Sequence, residues 1–185
     1  MNNIFIVGAG GHAKAIVDII EKNNQYKISG FVDDSYQVGD TFFGYPVIGH
    51  TQNLEEIMNK NRGCFVAIGD NWIRSKIVER IKKINPAYNF VTLIHPLASM
   101  GRDVETGEGS VIMANVHIKS DSNIGNHCLV NTGSCLGHDV KLEDYSSFGP
   151  GTIVGGNVNI GEFSAIGLGA NIIHQINIGR HTVIG

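Results

Sequence analysis

The chain has 185 residues, a formal net charge of -3, 42% apolar and 17% charged residues, a profile of one or two soluble globular domains. The sequence pI near 6.2 excludes a nucleic-acid footprint. No apolar run approaches the ~18 residues of a membrane span, and Met1 to Val7 carries no basic n-region or cleavage site, so a cytoplasmic protein is expected. Cys64, Cys128 and Cys135 are odd in number and match no metal-ligand spacing, which reads as reduced packing residues.

The apolar run Asn3 to Val7 leads into Gly8-Ala9-Gly10-Gly11-His12, and a helical pattern follows at Ala15, Ile16, Ile19 and Ile20. Strand, glycine turn and helix open a mononucleotide-binding βαβ unit, in which backbone N–H groups at the helix head receive a phosphate. A second strand, Ile28 to Val32, ends in Asp33-Asp34, about where such a unit places its ribose-binding carboxylate. The motif is also compatible with a glycine turn kept for packing.

Thr51 to Asn59 reads as a helix capped by Thr51, with Leu54, Ile57 and Met58 inside. Cys64 to Ile68 is a buried strand. Gly69-Asp70-Asn71 then turns into a helix over Trp72 to Ile84, with Ile73, Ile77, Val78 and Ile81 on its apolar face. Pro86 ends it, and Phe90 to Ile94 supplies one more strand. Residues 1–96 therefore read as a small α/β domain with a parallel sheet. Its ligand edge gathers Gly8, Gly10, Gly11, His12, Asp33, Asp34, Asp70 and Asn71. Leu97 to Ser110 reads as a connector without a long flexible linker.

From Ile112 onward the apolar positions recur every six residues, through Ile118, Ile124, Val130, Leu136, Leu142, Phe148, Val154, Ile160, Ile166, Ile172, Ile178 and Ile184. Neither a helix nor an alternating strand has that period. Four residues after each sits something small or β-branched, such as Ser122, Cys128, Ser134, Ser146, Thr152 and Ser164. Hexapeptide repeats specify a parallel β-helix, whose stacked coils bury a continuous core. Residues 97–185 form this second domain.

Polar chemistry in the coils is confined to turns and the outward face, where His117, His127, His138, His174 and His181 are expected. No two of them have the close spacing that would place both on one zinc ion, so no metal site is predicted. His138 precedes Asp139, and Asn131 lies seven residues earlier. A carboxylate that orients an imidazole makes a general base, although spacing alone does not separate this from an exposed turn pair. Cys135 reads as a packing residue, since nothing marks it as a thiolate.

Val7 to His12, Phe31-Val32-Asp33-Asp34, Ala67 to Asn71 with Arg74, and Val130-Asn131-Thr132-Gly133 leading to His138-Asp139 together resemble the NeuD-type sugar acetyltransferases. That group includes PglD-like N-acetyltransferases of UDP-4-amino-sugars and sialic-acid O-acetyltransferases. The resemblance spans both domains. It implies a Rossmann-like α/β domain followed by a left-handed parallel β-helix, and a homotrimer with active sites between neighbouring coils. It implies acetyl-CoA as co-substrate and a nucleotide sugar, or a free sugar, as acceptor.

By position, His138 resembles the general base, Asp139 its orienting acid and Asn131 an asparagine near the acceptor. Gly8, Gly10, Gly11, His12, Asp33, Asp34, Asp70 and Asn71 resemble nucleotide-sugar contacts. Gly156, Leu168, Ser147 and Gly167 fall where cofactor contacts are implied, Ser147 standing where some members carry a second histidine. The repeat reaches Gly185 in mid-coil, where the resemblance implies another coil. The expected reaction is acetyl transfer to the amine of a UDP-linked 4-amino-deoxy sugar. Alternatives are sugar O-acetylation, a non-catalytic trimeric sugar-nucleotide scaffold, and a nicotinamide oxidoreductase suggested by Gly8, Gly10 and Asp33.

Overall fold

Ile4, Phe5, Ile6 and Val7 are all buried, as in a strand covered on both faces. In the computed structural model, which describes residues 1–185, they form most of strand β1 (Asn2–Val7). Helix α1 (Gly11–Asn23) follows and buries Ala13, Ile16, Val17, Ile19 and Ile20. It stops at Asn24, a left-handed residue (φ 52°) whose N–H donates to the Ile20 carbonyl. Strand β2 (Tyr26–Val32) pairs in parallel with β1. A hairpin of β3 (Thr41–Phe42) and β4 (Tyr45–Gly49) is added on the far side of β2. Strand β5 (Gly63–Val66) completes the sheet in the order β3-β4-β2-β1-β5.

The helix expected over Thr51 to Asn59 is a 3-10 turn, Thr51–Asn53, that runs into α2 (Leu54–Lys60). Thr51 does not cap it. His50 and Asn53 close a reciprocal capping box, and the Thr51 hydroxyl donates instead to Asp34. Helix α3 (Asn71–Ile84) is capped by Asp70, whose Oδ1 accepts the Ile73 N–H at 2.8 Å. Its buried face is Arg74, Ser75, Val78 and Ile81, whereas Ile73, expected inside, is 54% exposed. Arg74 takes that place because carbonyls under the helix need a donor.

The chain divides into two compact units, Met1–Val91 and Thr92–Gly185. The strand expected over Phe90 to Ile94 is split at this division. Phe90 bridges Cys64, while Leu93–Ile94 pairs with Val111–Ile112 of the second unit. Residues 97–110, expected as a connector, already belong to a coil, with strands Ser99–Met100 and Glu105–Thr106.

The second unit is a left-handed parallel β-helix of two-residue strands in three sheets. Each strand pairs with the one a full coil later, as His117–Ile118 does with Cys135–Leu136. Inward residues from Ile112 to Ile166 fill the coil, with Phe148 the largest of them at 1% exposure. The small residues at the bends join one coil to the next. Buried hydroxyls of Ser110, Ser122, Ser134, Ser146, Thr152 and Ser164 each donate to a carbonyl fifteen residues on.

Left-handed residues stack in columns at the bends: Asp103, Asp121, Asp139, Asn157 and Gln175 in one, His127, Tyr145, Phe163 and His181 in another. The second is a ladder of parallel rings with centroids 5.1, 5.0 and 5.0 Å apart. His127, expected on the outside, is therefore only 1% exposed. No helix is long and apolar enough to cross a membrane.

Candidate active site

In the β-helix, His138 and Asp139 occupy the bend between strands Cys135–Leu136 and Lys141–Leu142. Asp139 is left-handed (φ 57°), and its N–H donates to the Ser120 carbonyl at 3.1 Å. That anchors the bend to the preceding coil. Asp139 Oδ2 stands 2.6 Å from His138 Nδ1, with both side chains about half exposed. When Nδ1–H donates to the carboxylate, Nε2 is left as an acceptor on a half-exposed side chain. The arrangement can remove a proton from a nucleophile.

Asn131 is not brought to this pair within the protomer. It lies at the other end of strand Cys135–Leu136, in the preceding bend, and its Oδ1 accepts the Thr132 N–H at 2.8 Å. Ser147 is half-buried on its strand, Leu168 is 76% exposed in a bend, and Gly167 packs against the Ile184–Gly185 backbone. Gly156 lies directly beneath the His138 ring. Cys135 is half-buried.

In the α/β unit the expected polar turns converge on the carboxyl ends of β1, β2 and β5, but most of their side chains already serve the loops. Ala9 N–H donates to Asp33 Oδ2 at 2.7 Å, and Ser35 N–H to Oδ1 at 2.8 Å. Asp34 accepts from both the backbone and the hydroxyl of Thr51, and the Thr51 N–H holds its carboxyl below the usual range. Asp70 caps α3, and Asn71 Oδ1 accepts from Arg74. Gly8 is left-handed (φ 97°), and a Cβ there would meet the Ala67 carbonyl at 3.1 Å.

The open donors are at the head of α1. Gly10 supplies no side-chain cap, and no acidic residue occupies the first turn, so the helix dipole is unopposed. His12 sits in that turn with Nε2 buried and without a hydrogen-bond partner. Burial, with Arg74 adding to it, pushes its pKa down to about 4. Arg74 is fully buried and donates to the Ile68 and Gly69 carbonyls and to Asn71. A neutral imidazole and a buried cation thus flank an uncapped helix head, a combination suited to an anion.

Sequence reasoning missed a polar hollow of about 420 Å³ lined by Asp34, His50, Thr51, Gln52 and Arg80. Arg80 reaches Thr51 Oγ1 at 3.0 Å from helix α3, twenty-nine residues away, a contact that no local pattern carries. A larger cavity of about 590 Å³, lined among others by Ser29, Ile48, Asn53, Ile57 and Asn61, shares no residue with the expected site. No group of three or more His, Cys, Asp or Glu side chains is placed to hold a metal ion.

Residues 3–81 match the family model described as the PglD N-terminal domain. PerB from Caulobacter crescentus, solved in complex with CoA and GDP-perosamine, superposes with a TM-score of 0.91 at 32% identity over 99% of this chain and 86% of that one. The chain belongs to the PglD/NeuD-type family of sugar acetyltransferases. Another member, the acetyltransferase domain of PglB from Neisseria gonorrhoeae FA1090 in complex with acetyl coenzyme A, gives a TM-score of 0.90 at 32% identity, covering 98% and 87%. UDP-N-acetylbacillosamine N-acetyltransferase of Bacillus subtilis (strain 168) is 34% identical over 117 residues, 62% of this chain. The match spans 52%, about half, of that curated relative's length. Both halves of the PglD-type architecture are thus present, the glycine-loop sheet and the coil that carries His138 and Asp139.

Proposed function

We propose that the protein transfers acetyl from acetyl-CoA to the amine of a nucleotide-linked 4-amino-deoxy sugar. The observation that carries this reading is the 2.6 Å His138 Nδ1–Asp139 pair, which leaves Nε2 as the ring's second nitrogen for the substrate. It lies on a coil that superposes on structures solved with CoA, GDP-perosamine or acetyl coenzyme A.

His138 Nε2 takes a proton from the acceptor amine as its nitrogen attacks the thioester carbonyl. The new C–N bond forms, the C–S bond breaks, and the proton passes to the departing thiolate of CoA. Asp139 holds the ring and stabilises the imidazolium. Base catalysis contributes roughly a hundred- to ten-thousand-fold, whereas alignment of the two substrates can supply about 7–11 kcal/mol. Positioning therefore dominates.

In this reading the α/β unit, Met1–Val91, holds the nucleotide. The diphosphate takes the amides of Gly10, Gly11 and His12, Gly8 lets the chain approach, and Asp33, Asp34, Asp70 and Asn71 shape the surrounding loops. The β-helix, Thr92–Gly185, performs the transfer, with Leu168, Ser147 and Gly167 along the coenzyme A arm and Asn131 serving the acceptor of a neighbouring copy. Exposed Ile153, Leu168 and Ile173 offer apolar surface for that copy, consistent with a homotrimer whose active sites lie between subunits. The two activated co-substrates suit a cytoplasmic enzyme.

The test is thiol release from acetyl-CoA with UDP- and GDP-linked 4-amino sugars, alongside calorimetric titration with UDP and GDP. Thiol release with the UDP-linked amine and micromolar UDP binding is the expected result. Activity with the GDP-linked amine alone moves the nucleotide assignment to guanine, and turnover only with a free sugar hydroxyl replaces N-acetylation by O-acetylation.

A further inference from the structure

The bend that carries His138 is repeated in every coil, and hydrogen bonds fix its stacking. Asp139 N–H donates to Ser120, Asn157 N–H to His138 and Gln175 N–H to Gly156. Ser120, His138, Gly156 and His174 therefore occupy one position of successive bends. Three of the four carry side chains, so the bend itself does not demand glycine there. Nor does the dihedral angle, because Gly156 is not among the left-handed glycines.

The other glycines of this corner have a different cause. A Cβ on Gly137 would meet the backbone of Gly155 and Gly156, and one on Gly155 the backbone of His174. Those glycines permit coil stacking. At Gly156 the nearest atoms all belong to one side chain: a Cβ would lie 2.7 Å from His138 Nε2, 2.8 Å from Cε1 and 3.1 Å from Cδ2. The imidazole lies against the bare backbone of the next coil, while Asp139 holds its opposite nitrogen at 2.6 Å.

We infer that Gly156 is a positioning residue for His138, leaving the one vacancy in which the ring can both keep its bond to Asp139 and present Nε2. The inference rests on His138 being the base. A methyl group at 156 pushes the ring outward, where it is already half exposed, and forces it either to leave Asp139 or to turn Nε2 away. The coil need not unfold, because the obstructing group is a side chain with open solvent on its other side. A displacement of about 1 Å at a reacting group can cost on the order of a hundredfold.

The test is Gly156→Ala in the wild type and in a His138→Asn background, read by kcat, by KM for acetyl-CoA, by the pH–rate profile and by thermal melting. The expected result in the wild type is a kcat reduced by at least about tenfold, a changed pH profile and a KM for acetyl-CoA within about twofold. The loss should shrink sharply in the background that lacks the imidazole. An equal loss in both backgrounds, or one confined to KM, assigns Gly156 to the coenzyme and overturns the inference. If Gly156→Ala fails to fold, recovery of folding in the double variant supports the clash, and persistent unfolding overturns it. Wild-type turnover in His138→Asn alone would instead remove the base assignment.

Discussion

Asp33 Oδ2 accepts the N–H of Ala9 at 2.7 Å, so the carboxylate at the end of β2 is a brace for the glycine loop that follows β1. Its second oxygen takes Ser35 N–H. An aspartate in this position of a dinucleotide fold reads a ribose; here its two oxygens are engaged by the Ala9 and Ser35 amides and set the conformation of the glycine loop.

Asp33→Ala should therefore act on the loop as well as on any ligand. It leaves the part-buried Ala9 amide without its acceptor, at a cost of about 1–3 kcal/mol, while the exposed Ser35 amide can turn to water. Thermal melting should show the loss, and calorimetry should show weaker UDP or GDP binding. Asp33→Asn, which keeps one acceptor oxygen, should lie between. An unchanged melting temperature would disprove the brace.

His138→Ala should lower kcat by roughly a hundred- to ten-thousand-fold and leave KM for acetyl-CoA little changed. Residual turnover above background is expected, because substrate alignment survives. Asp139→Ala should lose less than His138→Ala, since the ring remains but is no longer held. Steady-state kinetics on the two variants decide the order.

His12 supplies a pH dependence of stability. Its folded-state pKa, about 4, lies below the ordinary 6.5, because burial and then Arg74 disfavour the imidazolium. Between those values the unfolded chain binds the proton and the folded one does not, so stability rises with pH. It is fully present above 6.5 and is lost as pH falls through about 4, by about 3 kcal/mol in total. Denaturant melts of the wild type and His12→Gln across this range should differ in slope, the variant being flatter.

Arg74→Leu tests the buried cation. The Ile68 and Gly69 carbonyls lose its guanidinium donors, which should destabilise the α/β unit by about 2 kcal/mol or more. The His12 titration, followed by NMR, should move up from about 4 yet stay below 6.5, since burial is the larger cause of its shift. A downward movement would contradict the pairing.

The repeat is legible in the sequence because each inward position of the coil has its own column, and a column appears in the chain as a period. His138 beside Asp139 is legible because the two are neighbours. What lies across coils is not. His127 reads as an outer histidine, yet Tyr145, stacked 5.1 Å from it, stands eighteen residues later and covers its ring. In the α/β unit, Arg74 is buried where the pattern puts Ile73 inside, because the Ile68 and Gly69 carbonyls take its guanidinium as donor. Thr51 looks like a cap, but Asp34, seventeen residues earlier, takes its hydroxyl.

The hydroxyl stitching gives the β-helix a rule of growth. Each buried Ser or Thr hydroxyl finds its carbonyl fifteen residues on, and amides such as that of Val140 find the previous coil's hydroxyl eighteen residues back. A single-residue deletion inside a coil would misalign every rung that straddles it, about one turn's worth, and leave those buried hydroxyls without acceptors. Change by whole turns preserves every rung, so the length of such a coil is quantised, and variants that add or remove one full turn should be accepted where those that add one residue are not.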